Sequence, residues 1–270
     1  MKFKAFIITI IVVLSLSGKG YPNPGENTPS AAGNQPALQE IVLCPTKNQT
    51  AGELYNKGLE LSGKGDFESA MKACSRATEL DANYCDAMDN LGQLLRRQGK
   101  FEEAVYWYKR SIGVLPGNHV AHLNLAVAYR YQGKMDDAIS EYRVLLKMNP
   151  DDPEVYYGLG TVYLASGELN VASEQFKKAE QLYLKLNSPL VADAHYELGV
   201  IYYQMKDYGK SIEYLARSLP AKQNDPRVHY ALGLCYLEEG KDLNQARKYL
   251  KRAEELGANI PPEVLRKAGL

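Results

Sequence analysis

Apolar residues recur along most of this chain at the three- and four-residue spacing of amphipathic helices. One clear stretch has Leu91, Leu95, Ala104, Tyr108 and Ile112 in this pattern, with polar residues between them. Such spacing places the apolar side chains on one side of each helix. The pattern predicts an all-α protein of short helices, each with one apolar stripe.

The helical pattern is periodic. One position in each repeat holds a small residue, and successive copies lie 34 residues apart except for one interval of 39. The six copies are Gly58, Gly92, Ala126, Gly160, Gly199 and Gly233. A period of this length is typical of solenoids built from helix pairs. One pair cannot bury its apolar face alone, so stacked neighbours are expected to complete the core.

Glycine and proline mark the predicted helix ends. Five glycines fall where the first helix of a repeat should end in a left-handed C-cap. They are Gly65, Gly99, Gly133, Gly167 and Gly240. Pro116 and Pro150 follow second helices, and Asp152-Pro153 and Asp225-Pro226 are typical of an N-cap before a first-turn proline. Each repeat is therefore predicted to be a helical hairpin.

This pattern resembles the tetratricopeptide repeat family. The best copies are Leu91, Gly92, Leu95, Gly99, Phe101, Ala104, Tyr108 and Pro116, and then Tyr156, Leu159, Gly160, Tyr163, Gly167, Ala172, Phe176 and Ala179. The resemblance implies an α-solenoid, a right-handed superhelix of helix-turn-helix repeats. Six repeats are predicted, at 51–84, 85–118, 119–152, 153–186, 192–225 and 226–260. The departures are an insertion at 187–191, Lys206 at a C-cap glycine position and Ser211 at a second-helix alanine position.

The flanking segments have a different composition. Lys2 and Lys4 precede a short apolar run, which predicts a signal peptide over residues 1–17 and an exported protein of the periplasm or cell envelope. The alternative is an uncleaved N-terminal anchor; no membrane span is expected in the mature chain. Residues 18–50 read as a linker rich in proline and glycine, in which Ala37–Leu43 is expected to cap the first repeat. Residues 261–270 are expected to form a short C-terminal cap.

The charge balance, the absence of known catalytic motifs and the positions of the histidines argue against several classes of function. The chain has 32 basic and 32 acidic residues, which argues against nucleic-acid binding driven by bulk charge. No serine-hydrolase elbow, zinc-protease motif or phosphate-binding loop occurs, so we expect no catalytic residues and no cofactor. The histidines His122, His195 and His229 share one packing position, so we expect structural roles and no metal site.

Four cysteines add one candidate crosslink. In the predicted solenoid, Cys44 precedes the first helix and Cys85 begins the first helix of the second repeat, so both fall at the same pole. A Cys44–Cys85 disulfide is therefore favoured for an exported chain. The alternative is four unpaired thiols, with Cys74 and Cys235 buried in either case.

The resemblance also implies a binding surface, because first helices line the concave groove in this family. Two residues before the small residue, the first three repeats have Asn56, Asn90 and Asn124, which is similar to an asparagine ladder that clamps a peptide backbone. A positive charge is contributed by Arg130. Tyrosines are expected to project into the later part of the groove: Tyr157, Tyr196, Tyr203 and Tyr230.

Together these features predict a non-catalytic scaffold or adaptor of the cell envelope. Its predicted partner is another protein, bound through an extended peptide or a helix. Two alternatives are an accessory subunit of an envelope biosynthesis complex and a self-assembling homo-oligomer.

Overall fold

The computed structural model describes residues 44–270. The predicted signal peptide, most of the predicted linker and the segment 37–43 lie outside the described residues. The described part contains thirteen α-helices and no strand, which confirms the all-α fold. They are α1 Gln49–Gly63, α2 Phe67–Leu80, α3 Cys85–Arg97, α4 Phe101–Val114, α5 His119–Tyr131, α6 Met135–Met148, α7 Pro153–Ala165, α8 Leu169–Lys185, α9 Val191–Gln204, α10 Tyr208–Ser218, α11 Pro226–Glu239, α12 Leu243–Glu255 and α13 Pro262–Ala268.

The helices form two compact units, and the division falls inside α7. In residues 44–158, α1 packs on α2, α3 on α4 and α5 on α6, and each pair contacts the next. In residues 159–270, α9 packs on α10 and α11 on α12. The helix α13 lies against α11 and α12 and buries Val264 and Ala268. Each unit is thus a row of helical hairpins.

Local sequence signals set the helix ends. The side chains of Asn48, Asn118 and Asp207 accept hydrogen bonds from backbone N–H groups in the first turns of α1, α5 and α10. The five glycines after first helices all have positive φ, between 74° and 82°. Lys206, which takes the equivalent place after α9, has a φ of 63°. The left-handed conformation is therefore required there even though the residue is not glycine.

The periodic small residue marks the closest approach of the two helices in a hairpin. A Cβ atom on Gly92 would lie 2.6 Å from Cε1 of the buried Tyr108, and one on Gly160 would lie 2.8 Å from Cε2 of Phe176. In a later hairpin, a Cβ atom on Gly199 would lie 2.5 Å from Cγ of Leu215. The large second-helix side chain therefore occupies the volume that the glycine leaves open.

Ser211 is accommodated by a local hydrogen bond. Its buried hydroxyl donates to the carbonyl oxygen of Gly199 at 2.6 Å and lies 3.0 Å from the Sγ atom of Cys235. The hydroxyl is satisfied across the α9–α10 hairpin, so serine costs little at a position where the family has alanine.

Gly92→Ala should destabilise the protein, whereas Gly113→Ala should not. The new methyl group at residue 92 would force the buried ring of Tyr108 to move, at a cost of about 1–3 kcal/mol. Gly113 is exposed in the last turn of α4 with no atom near its missing Cβ, so alanine there should leave stability unchanged or raise it by at most about 0.5 kcal/mol. Urea unfolding of both variants checks this, and equal shifts of the two would contradict the proposed packing.

Lys206→Gly should raise the free energy of unfolding by about 0.5–1 kcal/mol, because glycine adopts positive φ without the steric cost that lysine bears. Lys251→Gly is the matched control, since Lys251 is exposed in the interior of α12 and glycine should cost about 1 kcal/mol there. Thermal unfolding distinguishes the two. A loss of stability in both variants would show that the conformation of Lys206 carries no strain.

Candidate functional site

The asparagines Asn56, Asn90 and Asn124 lie on successive first helices α1, α3 and α5 of the unit 44–158. Asn56 is exposed, and the other two are half-buried. On the neighbouring helix α1, burial raises the pKa of Tyr55 to about 12, and the nearby amide of Asn90 opposes part of this rise. Three side chains that each carry a donor and an acceptor thus remain accessible at one repeated position.

The asparagine series ends at Gly158 for a steric reason. A Cβ atom on Gly158 would lie 2.4 Å from Cζ and 2.5 Å from the hydroxyl oxygen of Tyr142, which is fully buried. No side chain fits there unless Tyr142 moves. The fourth repeat therefore cannot continue the series with an asparagine.

Two carboxylates lie beside the asparagines, in the N-terminal half of α3. Asp86 is half-buried, and Asp89 is only 7% exposed. One carboxylate oxygen of Asp89 accepts a hydrogen bond from Nδ2 of Asn118 at 2.7 Å, and the same Nδ2 atom also donates to the Ser111 hydroxyl at 2.9 Å. Burial raises the pKa of Asp89 to about 6 despite these hydrogen bonds. The start of α3 is thus an acidic edge, defined by Asp86 and Asp89.

Arginines lie at the opposite ends of the same helices. Arg96 and Arg97 are in the last turn of α3, and Arg130 is in the last turn of α5. The guanidinium carbon of Arg130 lies 4.5 Å from the ring centroid of Tyr131, which holds this half-buried side chain in place. The N-terminal half of α3 is therefore negatively charged, whereas the C-terminal ends of α3 and α5 are positively charged.

A disulfide lies next to the acidic edge. The structure joins Cys44 to Cys85 with an S–S distance of 2.09 Å and a Cα–Cα distance of 5.4 Å. The backbone N–H of Cys44 donates to Oδ1 of Asp86 at 3.3 Å, and the Thr46 hydroxyl hydrogen-bonds to Asp81. The segment before α1 is therefore fixed to the start of the second repeat. The other two cysteines are buried free thiols.

Comparisons with known proteins identify the repeats. Models of the tetratricopeptide repeat match residues 54–84, 85–114, 151–224 and 227–255, and a model described as TPR repeat matches 127–167. The chain belongs to the tetratricopeptide repeat family. Tetratricopeptide repeat proteins bind other proteins, and this general role as an interaction scaffold applies to the chain.

Individual proteins resemble this chain less closely than the family models do. An uncharacterized protein of Methanocaldococcus jannaschii is 40% identical over 60 residues, which are 22% of this chain and 70% of that protein. The structure of MamA is 29% identical with a TM-score of 0.53, over 62% of this chain and 94% of MamA.

Two further structures are similar in fold alone. The pilF protein of Pseudomonas aeruginosa is 24% identical with a TM-score of 0.62, over 68% of this chain and 83% of pilF. A chain of the APC/C hetero-tetramer Cut9-Hcn1 is 22% identical with a TM-score of 0.71, over 81% of this chain. Our tetratricopeptide repeat protein spans only 43% of that chain.

The structure corrects the expectation of an exposed tyrosine surface. Tyr196, Tyr203 and Tyr230 are 4%, 6% and 3% exposed and belong to the core of residues 159–270, while Tyr157 on α7 is half-buried. Tyr196 and Tyr230 lie three residues before the small residue, one position earlier than the asparagines. A residue of the next repeat covers Tyr196: the guanidinium carbon of Arg227 lies 5.4 Å from the Tyr196 ring centroid. Tyr203 instead packs against the ring of Tyr208.

The histidines of this tetratricopeptide repeat protein bond to protein groups. Nδ1 of His122 lies 2.6 Å from Glu141, a hydrogen bond that raises the pKa of His122 above its ordinary value. His195 pairs with Glu180 at 3.0 Å, and His229 lies 2.8 Å from the carbonyl oxygen of Gln223. These contacts give the shared position a role in packing. Separately, no helix between residues 44 and 270 is both long enough and apolar enough to cross a membrane.

Asp89 should make stability depend on pH. Its folded-state pKa of about 6 lies above the ordinary value of 3.8, so the native state keeps a proton that the unfolded state has lost. The free energy of unfolding should therefore fall as the pH rises through about 6. Relative to Asp89→Asn, we expect the wild type to lose roughly 2–3 kcal/mol between about pH 4 and pH 7. Urea unfolding of both proteins across this range measures the difference.

The control for this experiment is Asp136→Asn, which removes an exposed carboxylate from the first turn of α6. Its stability should follow the wild type at every pH. A pH dependence of Asp89→Asn that runs parallel to the wild type would contradict the assignment to Asp89.

Proposed function

We propose that this protein is a non-catalytic adaptor of the cell envelope that binds a peptide segment of another protein on Asn56, Asn90 and Asn124. The observation that carries the proposal is the repetition of an accessible asparagine at one position of three successive first helices. The family supports protein binding in general. The asparagine series narrows the ligand to a chain with regularly spaced peptide groups.

The chemistry of the amide suits that ligand. Each side chain presents one acceptor and two donor hydrogens, which complement the C=O and N–H groups of an extended peptide. The packed hairpins already hold α3 and α5, which carry Asn90 and Asn124, in place. Little conformational entropy is therefore lost when a peptide binds. Such hydrogen bonds recognise the backbone of the peptide and therefore tolerate different side chains in the ligand. The same surface also accepts a helix end, whose unpaired backbone groups have the same chemistry.

The envelope location rests on two features. Lys2 and Lys4 before a short apolar run are typical of a signal peptide, and the Cys44–Cys85 disulfide suits an oxidising compartment. Retention of the N-terminal segment as an anchor gives the same location. Cell fractionation of an epitope-tagged full chain tests this part: recovery of the full-length protein from the cytoplasm would contradict it.

Asn90→Ala/Asn124→Ala should abolish partner binding while leaving the fold intact. Removing both amides deletes two to four hydrogen bonds of about 1 kcal/mol each, so affinity should fall at least about 30-fold. The measurement is capture of partners from an envelope extract by the tagged wild type and variant, with bound proteins quantified by mass spectrometry.

The matched control is Asn170→Ala/Asn244→Ala, which removes two exposed asparagines from the second helices α8 and α12. It should recover the same partners as the wild type. If the Asn90/Asn124 variant also recovers them unchanged, binding does not use the asparagine series and the proposal is wrong.

A further inference from the structure

The acidic edge beside the asparagines is an unusual feature of the unit 44–158. Asp86 and Asp89 are three residues apart on α3, so their side chains lie on the same side of that helix. Both carboxylates lie close enough to Tyr55 of α1 to raise the pKa of its hydroxyl, and the amide of Asn90 lies close enough to lower it in part. Tyr55, the two carboxylates and Asn90 are therefore neighbours on facing helices.

The hydrogen bonds of Asp89 are incomplete. Its Oδ2 atom accepts from Asn118, but its Oδ1 atom is buried and has no hydrogen-bond partner. Asp86 accepts one bond from the backbone of Cys44. Within residues 44–270, neither carboxylate forms an ion pair with a lysine or arginine, and none is close enough to lower either pKa. Burial instead raises the pKa of both groups.

Three other partly buried carboxylates among residues 44–270 are paired with basic side chains. Asp225 bonds to Arg227 at 2.7 Å, Asp193 to Lys222 at 2.6 Å, and Glu141 to the ring of His122. A buried carboxylate without a cation is costly, and removal of one partner from a buried ion pair is costly for the same reason. The acidic edge therefore resembles an ion pair whose cationic partner is missing from residues 44–270.

We propose that Asp86 and Asp89 receive the ammonium or guanidinium group of a lysine or arginine side chain of the bound peptide. Asp86, the more exposed of the two, contacts the cation at the surface, and Asp89 adds a second negative charge from a less polar environment. Because Asn90 directly follows Asp89, the backbone contact and the side-chain contact fall at adjacent positions on the ligand. This inference rests on the proposed function and adds a requirement for a basic residue.

The experiment is selection of random peptides of about twelve residues, displayed on phage, with the full chain as bait. The wild type should enrich peptides that share one lysine or arginine at a fixed position. Replacement of that residue by norleucine in a synthetic peptide should weaken binding about tenfold or more, since an interfacial charge pair of this kind is worth a few kcal/mol. Asp86→Asn/Asp89→Asn should show the same loss and should no longer discriminate the two peptides.

Glu102→Gln/Glu103→Gln is the control, because it removes two exposed carboxylates from the first turn of α4 and the same net charge. It should bind like the wild type. Asn keeps the shape of Asp at both sites, and thermal unfolding verifies the fold. If Asp86→Asn/Asp89→Asn does not fold, the norleucine substitution tests the same contact on the wild type.

The outcomes separate the two proposals. Enrichment of peptides without a shared basic residue, or a basic preference unchanged in Asp86→Asn/Asp89→Asn, would overturn the inference and leave the peptide groove standing. Failure of the wild type to enrich any peptide, or enrichment unaffected by Asn90→Ala/Asn124→Ala, would overturn the proposed function itself.

Discussion

The structure depends on the close approach of two helices at one small residue in every repeat. At Gly92 there is no room for a Cβ atom beside Tyr108, and the same holds for Gly160 beside Phe176. This contact fixes how the first helix is rotated against the second. Because an α-helix turns about 100° per residue, every other position of the first helix then has a defined direction. The accessible asparagines keep one direction because they keep one distance from that contact.

Asn118 links this packing to the charged edge. It caps α5 by accepting from the N–H of Ala121, and its Nδ2 atom donates to both Asp89 on α3 and Ser111 on α4. One side chain therefore connects three helices of neighbouring hairpins through buried hydrogen bonds. The network uses one oxygen of Asp89 and leaves the other unpaired, so it explains why Asp89 is held in place but not why its charge has no cation.

Much of this could be predicted from sequence, because period, helix ends and the small residue are local signals. The repeat spacing alone predicts where the glycines with positive φ lie, and it places Lys206 at the equivalent position after α9. Exposure of the tyrosines could not be predicted in this way. Tyr196 lies one position away from the asparagine position, and in residues 159–270 both positions are buried, since Glu197 is buried as well. Whether an inner position is open depends on how closely adjacent first helices approach, and no local pattern encodes that distance.

Why the asparagine series ends at Gly158 also could not be predicted from the sequence, but for a different reason. Gly158 looks like a simple loss of asparagine in the sequence, but the ring of Tyr142, sixteen residues earlier, fills the space that a side chain would occupy. A residue on the preceding second helix therefore determines the length of the candidate groove. Long-range steric exclusion of this kind has no periodic signature, because the equivalent positions in the first three repeats hold asparagine.

The charge of Asp89 is also not required by packing. At the same position, three residues before the small residue, other repeats have Tyr55, Leu123 and Tyr157, all half-buried. An apolar side chain therefore fits this environment in the unit 44–158, and apolar replacements of buried charges are commonly neutral or stabilising. A carboxylate here lowers stability at neutral pH through its raised pKa, and its neighbour Asp86 adds to that cost by repulsion. An opposing cation would remove both costs at once, and Asn90, the next residue along α3, lies on the surface from which a bound peptide would supply it.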